Sequence, residues 1–70
     1  MDETRKREKL VLNLTEAAEA MGVSRPTMRL LSRVEGFPVL RIGNRVLFSK
    51  KGLERWISEM EGSRVELHER

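Results

Sequence analysis

The chain has no cysteine and no tyrosine, and only one histidine, one tryptophan and two prolines among its 70 residues. Without cysteine there is no disulfide staple, no thiolate metal site and no thiol catalysis. No apolar run approaches the roughly 18 residues that a membrane span needs. The charged N-terminus lacks the apolar stretch of a signal peptide. Hydrophobic residues make up 39% and charged residues 36%, enough for one core but not for two. Domains this short bury only about 60% of their unfolded surface, so that core has to be efficient. So small a chain rarely builds an enclosed pocket, and a catalytic role is not expected.

Charge is unevenly spread. The net value of +3 conceals a block from Arg25 to Arg55. There Arg25, Arg29, Arg33, Arg41, Arg45, Lys50, Lys51 and Arg55 face only Glu35 and Glu54, a local charge of +6. The segments on either side, Leu10 to Ser24 and Trp56 to Arg70, each carry −2. A basic centre between acidic flanks is the footprint of a phosphate-binding surface. The polar ends lack apolar periodicity. They predict a flexible tail over 1–9, a folded domain over 10–60 and a second flexible tail over 61–70.

Within 10–60, Leu10, Leu12 and Leu14 alternate as a short extended segment. Thr15 then stands where it can cap a helix over Glu16 to Met21, with both glutamates at the positive end of the dipole. Gly22 ends that helix. Ser24 caps a second one that runs to about Arg33, with Pro26 in its first turn, where the missing N–H costs nothing. Val39 to Ile42 and Arg45 to Phe48 flank Gly43-Asn44, a hairpin dipeptide. Ser49 caps a third helix, Lys50 to Met60, whose first turn is weakened by Gly52. The expected core is Leu14, Ala17, Ala18, Met21, Val23, Met28, Leu31, Val34, Phe37, Val39, Ile42, Val46, Phe48, Leu53, Trp56 and Ile57. Trp56 is its largest single contributor, and Trp56→Ala is expected to endanger folding.

The segment from Ala18 to Leu31 carries the sharpest signal. A small residue at Ala18 allows two helices to approach, Gly22 makes the turn, and Met28 with Leu31 anchors the second helix on the first. These are the steric demands of a helix-turn-helix, whose second helix enters the major groove of DNA. On that helix Arg25, Arg29 and Arg33 form a stripe at spacing four, with Pro26 and Leu30 also outward. Ser24 and Thr27 lie at its start. Arg41, Asn44 and Arg45 surround the hairpin tip, so the hairpin reads as a wing that reaches the adjacent backbone or minor groove. The fold class is therefore small α+β: a winged helix-turn-helix of short strand, two helices, β-hairpin wing and C-terminal helix.

The stretches LVLNLTEAAEAMGVSRPTMRLL and FPVLRIGNRVLFSKKGLERWI, spanning Leu10 to about Met60, resemble the excisionase-type winged-helix proteins, relatives of the MerR DNA-binding domain. Glu16-Ala17-Ala18, Gly22-Val23-Ser24 and Gly43-Asn44-Arg45 stand at the matching places. The resemblance implies a recombination directionality factor, which binds duplex DNA beside a site-specific integrase, bends it, and associates cooperatively with further copies on tandem sites. It implies a recognition-helix role for Arg29 and a wing role for Arg45. Leu30 departs from the pattern, since the family commonly has a polar or aromatic residue there; its contact is a thymine methyl or a partner protein. The long coiled coil and effector domain of MerR regulators are missing from the chain, so no small-molecule effector is expected. The implied localisation is cytoplasmic, on the nucleoid.

Other signals are weak. His68 is a single histidine in a polar tail, so neither a metal site nor a Ser–His–Asp set can be drawn, and no cofactor is expected. Two further readings stay open: a small MerR-like transcriptional regulator of a mobile element, and a protein-interaction module using Leu30 and the acidic C-terminal stretch.

Overall fold

The computed structural model describes residues 9–67; the stretch 1–8 and His68 lie outside the described residues. The elements are β1 (Val11–Leu12), α1 (Leu14–Met21), α2 (Arg25–Leu31), β2 (Val39–Ile42), β3 (Arg45–Ser49) and α3 (Lys50–Met60). The three strands form one antiparallel sheet in the order β1-β3-β2. This is a winged helix-turn-helix, with β2 and β3 as the wing.

The first helix starts earlier than Thr15 would place it. Asn13 is its N-cap, with extended backbone (φ −83°, ψ 179°), and Thr15 already lies inside the helix. The Glu16 N–H donates to Asn13 Oδ1 at 2.8 Å, and the Asn13 N–H donates to Glu16 Oε1 at 2.9 Å. This reciprocal box satisfies two backbone donors at once, which Thr15 cannot do because alanine, not glutamate, stands three residues after it.

Lys9 also donates to Glu16. That hydrogen bond, and then the one from the Asn13 N–H, holds the Glu16 carboxyl below its ordinary value. A depressed folded-state pKa stabilises the fold above the ordinary glutamate range, and the contribution is lost as pH falls through the folded value. Glu16→Gln keeps an acceptor for Asn13 but removes the charge. Its melting temperature is expected to lie below the parent's at neutral pH and to converge with it at a pH low enough to protonate the folded Glu16, below the ordinary glutamate range. An undiminished gap at that pH rejects the charge as the cause.

α1 ends on Gly22 in the left-handed conformation (φ +74°). The Val23 N–H donates to Ala18 O at 3.0 Å and the Gly22 N–H to Glu19 O at 3.2 Å, a Schellman pattern. The chain therefore turns within two residues and enters α2 at Ser24. Ala17 and Ala18 are buried, as are Met28 and Leu31 on α2, and the two helices pack through these side chains.

β3 is the hub of the fold. It pairs with both other strands and packs against α1 and α3. Leu12, Val39 and Phe48 share its inner face, because Leu12 and Val39 are both register partners of Phe48. All three aromatic residues of the chain meet there. Phe37 lies edge-on to Phe48 (centroids 6.1 Å apart) and to Trp56 (4.7 Å).

The core differs from the expected one at its margins. Ile42 is 57% exposed, Val46 37% and Ile57 40%, while Leu47 is buried. Val46 shares the face of Phe48 but sits far out on the wing, whereas Ile42 lies on the opposite, outer face, as the register partner of Arg45. Leu47 is buried on the outer face of the sheet, opposite Phe48. The packing also runs past Met60. After a turn in which the Ser63 N–H donates to Met60 O, Val65 and Leu67 are partly buried against the core, so the packed unit does not stop at 60.

Gly52 has a packing reason that its helix propensity hides. A Cβ there would lie 2.6 Å from Pro38 Cβ and 3.1 Å from Ser49 Oγ, the cap that accepts the Gly52 N–H. Propensity alone favours alanine in a helix by about 1 kcal/mol. The rigid proline ring reverses that preference, and Gly52→Ala is expected to destabilise by roughly 1–3 kcal/mol. A urea midpoint above the parent's would show that the segment before β2 yields freely.

Candidate nucleic-acid interface

α2 is held chiefly by α1, which leaves its opposite side open. Its start is well determined: Ser24 Oγ accepts the Thr27 N–H at 3.2 Å and donates to Thr27 Oγ1 at 3.0 Å. Pro26 in the first turn pre-sets the backbone. Ser24 therefore uses its hydroxyl within the chain. Thr27 accepts that bond and keeps its own hydroxyl proton for an outside acceptor.

Met28 and Leu31 point inward, while Arg25, Pro26 and Arg29 are exposed and Leu30 is half-buried. Arg33 does not continue a three-residue helical stripe. α2 ends at Leu31, the Ser32 hydroxyl donates to Arg29 O at 2.6 Å, and the Arg33 and Val34 N–H groups close tighter turns on Leu30 and Leu31. Two arginines thus share the helix face, and exposed Arg33 projects from the turn beyond it.

Arg41, Asn44 and Arg45 are exposed on the wing. Arg41 is opposite Val46 and Ile42 is opposite Arg45. Side chains alternate along a strand, so Arg41 shares the face of Phe48, and Arg45 shares that of Leu47 and Leu40. The two wing arginines therefore straddle the hairpin instead of lining one side. A thin ribbon with a guanidinium on each face can meet phosphates on both walls of a groove. Ile42 and Val46, expected in the core, emerge beside these arginines as apolar parts of the wing surface. Their position next to the hairpin tip was the available signal.

Among the described residues, none of Arg25, Arg29, Arg33, Arg41 and Arg45 is in a salt bridge. An arginine held by a carboxylate must break that pair to bind phosphate; these five need not. On the outer sheet face, Lys9, Leu10, Val11, Asn13, Glu16, Arg45 and Leu47 line an open depression of about 390 Å³. No group of three or more His, Asp or Glu side chains among the described residues could hold a metal ion. Every buried residue among them is apolar. No helix among the described residues is long and apolar enough to cross a membrane.

Fold and surface together define a winged helix-turn-helix protein of the DNA-binding class. The profile of the helix-turn-helix domain family matches residues 11–61, from the start of β1 to the residue after α3, and the chain belongs to that family. Neither a curated protein nor a solved structure matches the chain.

Proposed function

We propose that this protein binds duplex DNA with α2 in the major groove and the wing on the adjacent backbone or minor groove, and that it acts by binding without catalysis. The observation that carries this reading is the set of five exposed, unpaired arginines on α2, the following turn and the wing. Arg25, Arg29 and Arg33 read bases or hold phosphates, Thr27 donates to a phosphate, and Arg41, Asn44 and Arg45 hold the flanking strand. Ser24 and Pro26 set the helix start that aims these groups.

The particular role is that of an excisionase-like recombination directionality factor, which assembles cooperatively on tandem sites and bends DNA beside a site-specific integrase. The motifs Glu16-Ala17-Ala18, Gly22-Val23-Ser24 and Gly43-Asn44-Arg45, in that order and spacing, support an excisionase-type reading, and footprinting separates it from regulation. Binding to duplex DNA at low salt, followed while salt is raised, tests the first part. Each phosphate neutralised contributes about 0.9 to the slope of log affinity against log salt, so five arginines allow a slope of at most about −4.5. Absence of binding at low salt rejects the reading. Footprinting with and without the integrase tests the second part. Tandem protection and stimulated excision are expected, whereas one isolated operator with no integrase dependence identifies a transcriptional regulator.

A further inference from the structure

The outward side of α2 carries two parallel rows. Arg25 and Arg29 are one row, four residues apart. Pro26 and Leu30 are the other, about 100° further round the helix and about 6 Å apart along its axis. Leu30 is half-buried, yet it is not among the side chains packed against the core. An apolar row thus runs beside a basic one on the surface offered to DNA.

The floor of the major groove presents hydrogen-bonding groups at every base and a single apolar group, the C5-methyl of thymine. A leucine there gains nothing from a phosphate and cannot answer the N4 amino group of cytosine, which it would leave unpaired. It can only bury against that methyl. We propose that Leu30 is a specificity-determining residue for thymine, packing on the C5-methyl while Arg29 beside it takes a neighbouring guanine or phosphate. This inference rests on the DNA-binding reading above and commits it to thymine-containing sites.

Selection from a random duplex library with the full chain supplies the preferred site. Each thymine in it is then replaced singly by deoxyuridine, which removes only the methyl, and binding is measured for the parent and for Leu30→Ala. A buried methyl is worth about 0.8 kcal/mol, so one or two replacements are expected to weaken the parent roughly fourfold each. The same replacements are expected to leave Leu30→Ala unchanged. Because Leu30 lies outside the core, the variant is expected to melt near the parent temperature, and circular dichroism checks this.

Insensitivity of the parent to every deoxyuridine overturns the assignment, as does equal sensitivity in the variant. A variant that keeps the parent's base preferences but loses cooperative assembly on tandem sites makes Leu30 a protein contact instead. If the parent selects no DNA at low salt, the DNA-binding reading itself falls, an outcome distinct from binding without methyl recognition.

Discussion

Phe48→Ala leaves the chain largely unfolded at 25 °C. Phe48 is fully buried on β3, where that strand pairs with both β1 and β2 and joins the wing to the helices. Its ring contacts Phe37, which in turn packs on Trp56, so one truncation loosens strand, loop and C-terminal helix together. Removing a buried phenylalanine costs about 3–5 kcal/mol. A single core in so short a chain rarely supplies more than about 3–5 kcal/mol. Cost and stability are therefore comparable, and the folded population collapses. Far-UV circular dichroism and tryptophan fluorescence in urea check this; a cooperative transition near the parent midpoint would contradict the central place given to Phe48. Phe48→Leu, which keeps most of the volume, is expected to stay folded with a lowered midpoint.

The second large effect is on binding. Arg29→Ala with Arg45→Ala removes one guanidinium from α2 and one from the outer face of the wing. A charged hydrogen bond contributes about 1.5–3 kcal/mol, so the pair is worth roughly a hundredfold in affinity or more. If both arginines meet phosphates, the salt slope should fall by about 1.8. Neither side chain has a partner among the described residues, so thermal stability should change by less than about 0.5 kcal/mol. Lys51→Ala with Arg55→Ala provides a control, removing the same charge from exposed positions on α3. It should cost clearly less if contacts, and not net charge, carry the affinity. A folded Arg29/Arg45 double variant with undiminished affinity would remove α2 and the wing arginines from the interface.

These two variants separate what holds the fold from what meets the ligand, and the sequence is unequally informative about the two. The helix starts at Ser24 and Ser49, the Gly22 turn and the Gly43-Asn44 hairpin all stand where local rules put them. Each is set by groups within about four residues, such as a hydroxyl reaching an amide or a glycine taking a left-handed bend. The first cap is the exception: Thr15 is the expected cap, but Asn13, with Glu16 three residues on, forms the reciprocal box and starts the helix earlier. The alternation of Leu10, Leu12 and Leu14 instead favoured a strand that runs on too long. Only two residues of β1 find partners on β3, after which the backbone turns into α1.

The candidate interface divides in the same way. Arginine at positions 25, 29, 41 and 45 was visible, as was the basic block that contains them. That Arg33 leaves the helix and that Arg41 and Arg45 emerge on opposite faces follows from where α2 stops and how β2 and β3 register. Alternation along a strand says which residues share a face, but not how far that face stays covered. Val46 is exposed because the helices end before the hairpin does, and Ile42 because the register turns it to the outer face. Gly52 is a glycine because Pro38, fourteen positions earlier, occupies the space a side chain would need. Short-range hydrogen bonding and backbone preference are written in neighbouring residues and can be read there. Coverage, close approach and the facing of charges depend on segments far apart in the chain, and packing alone settles them.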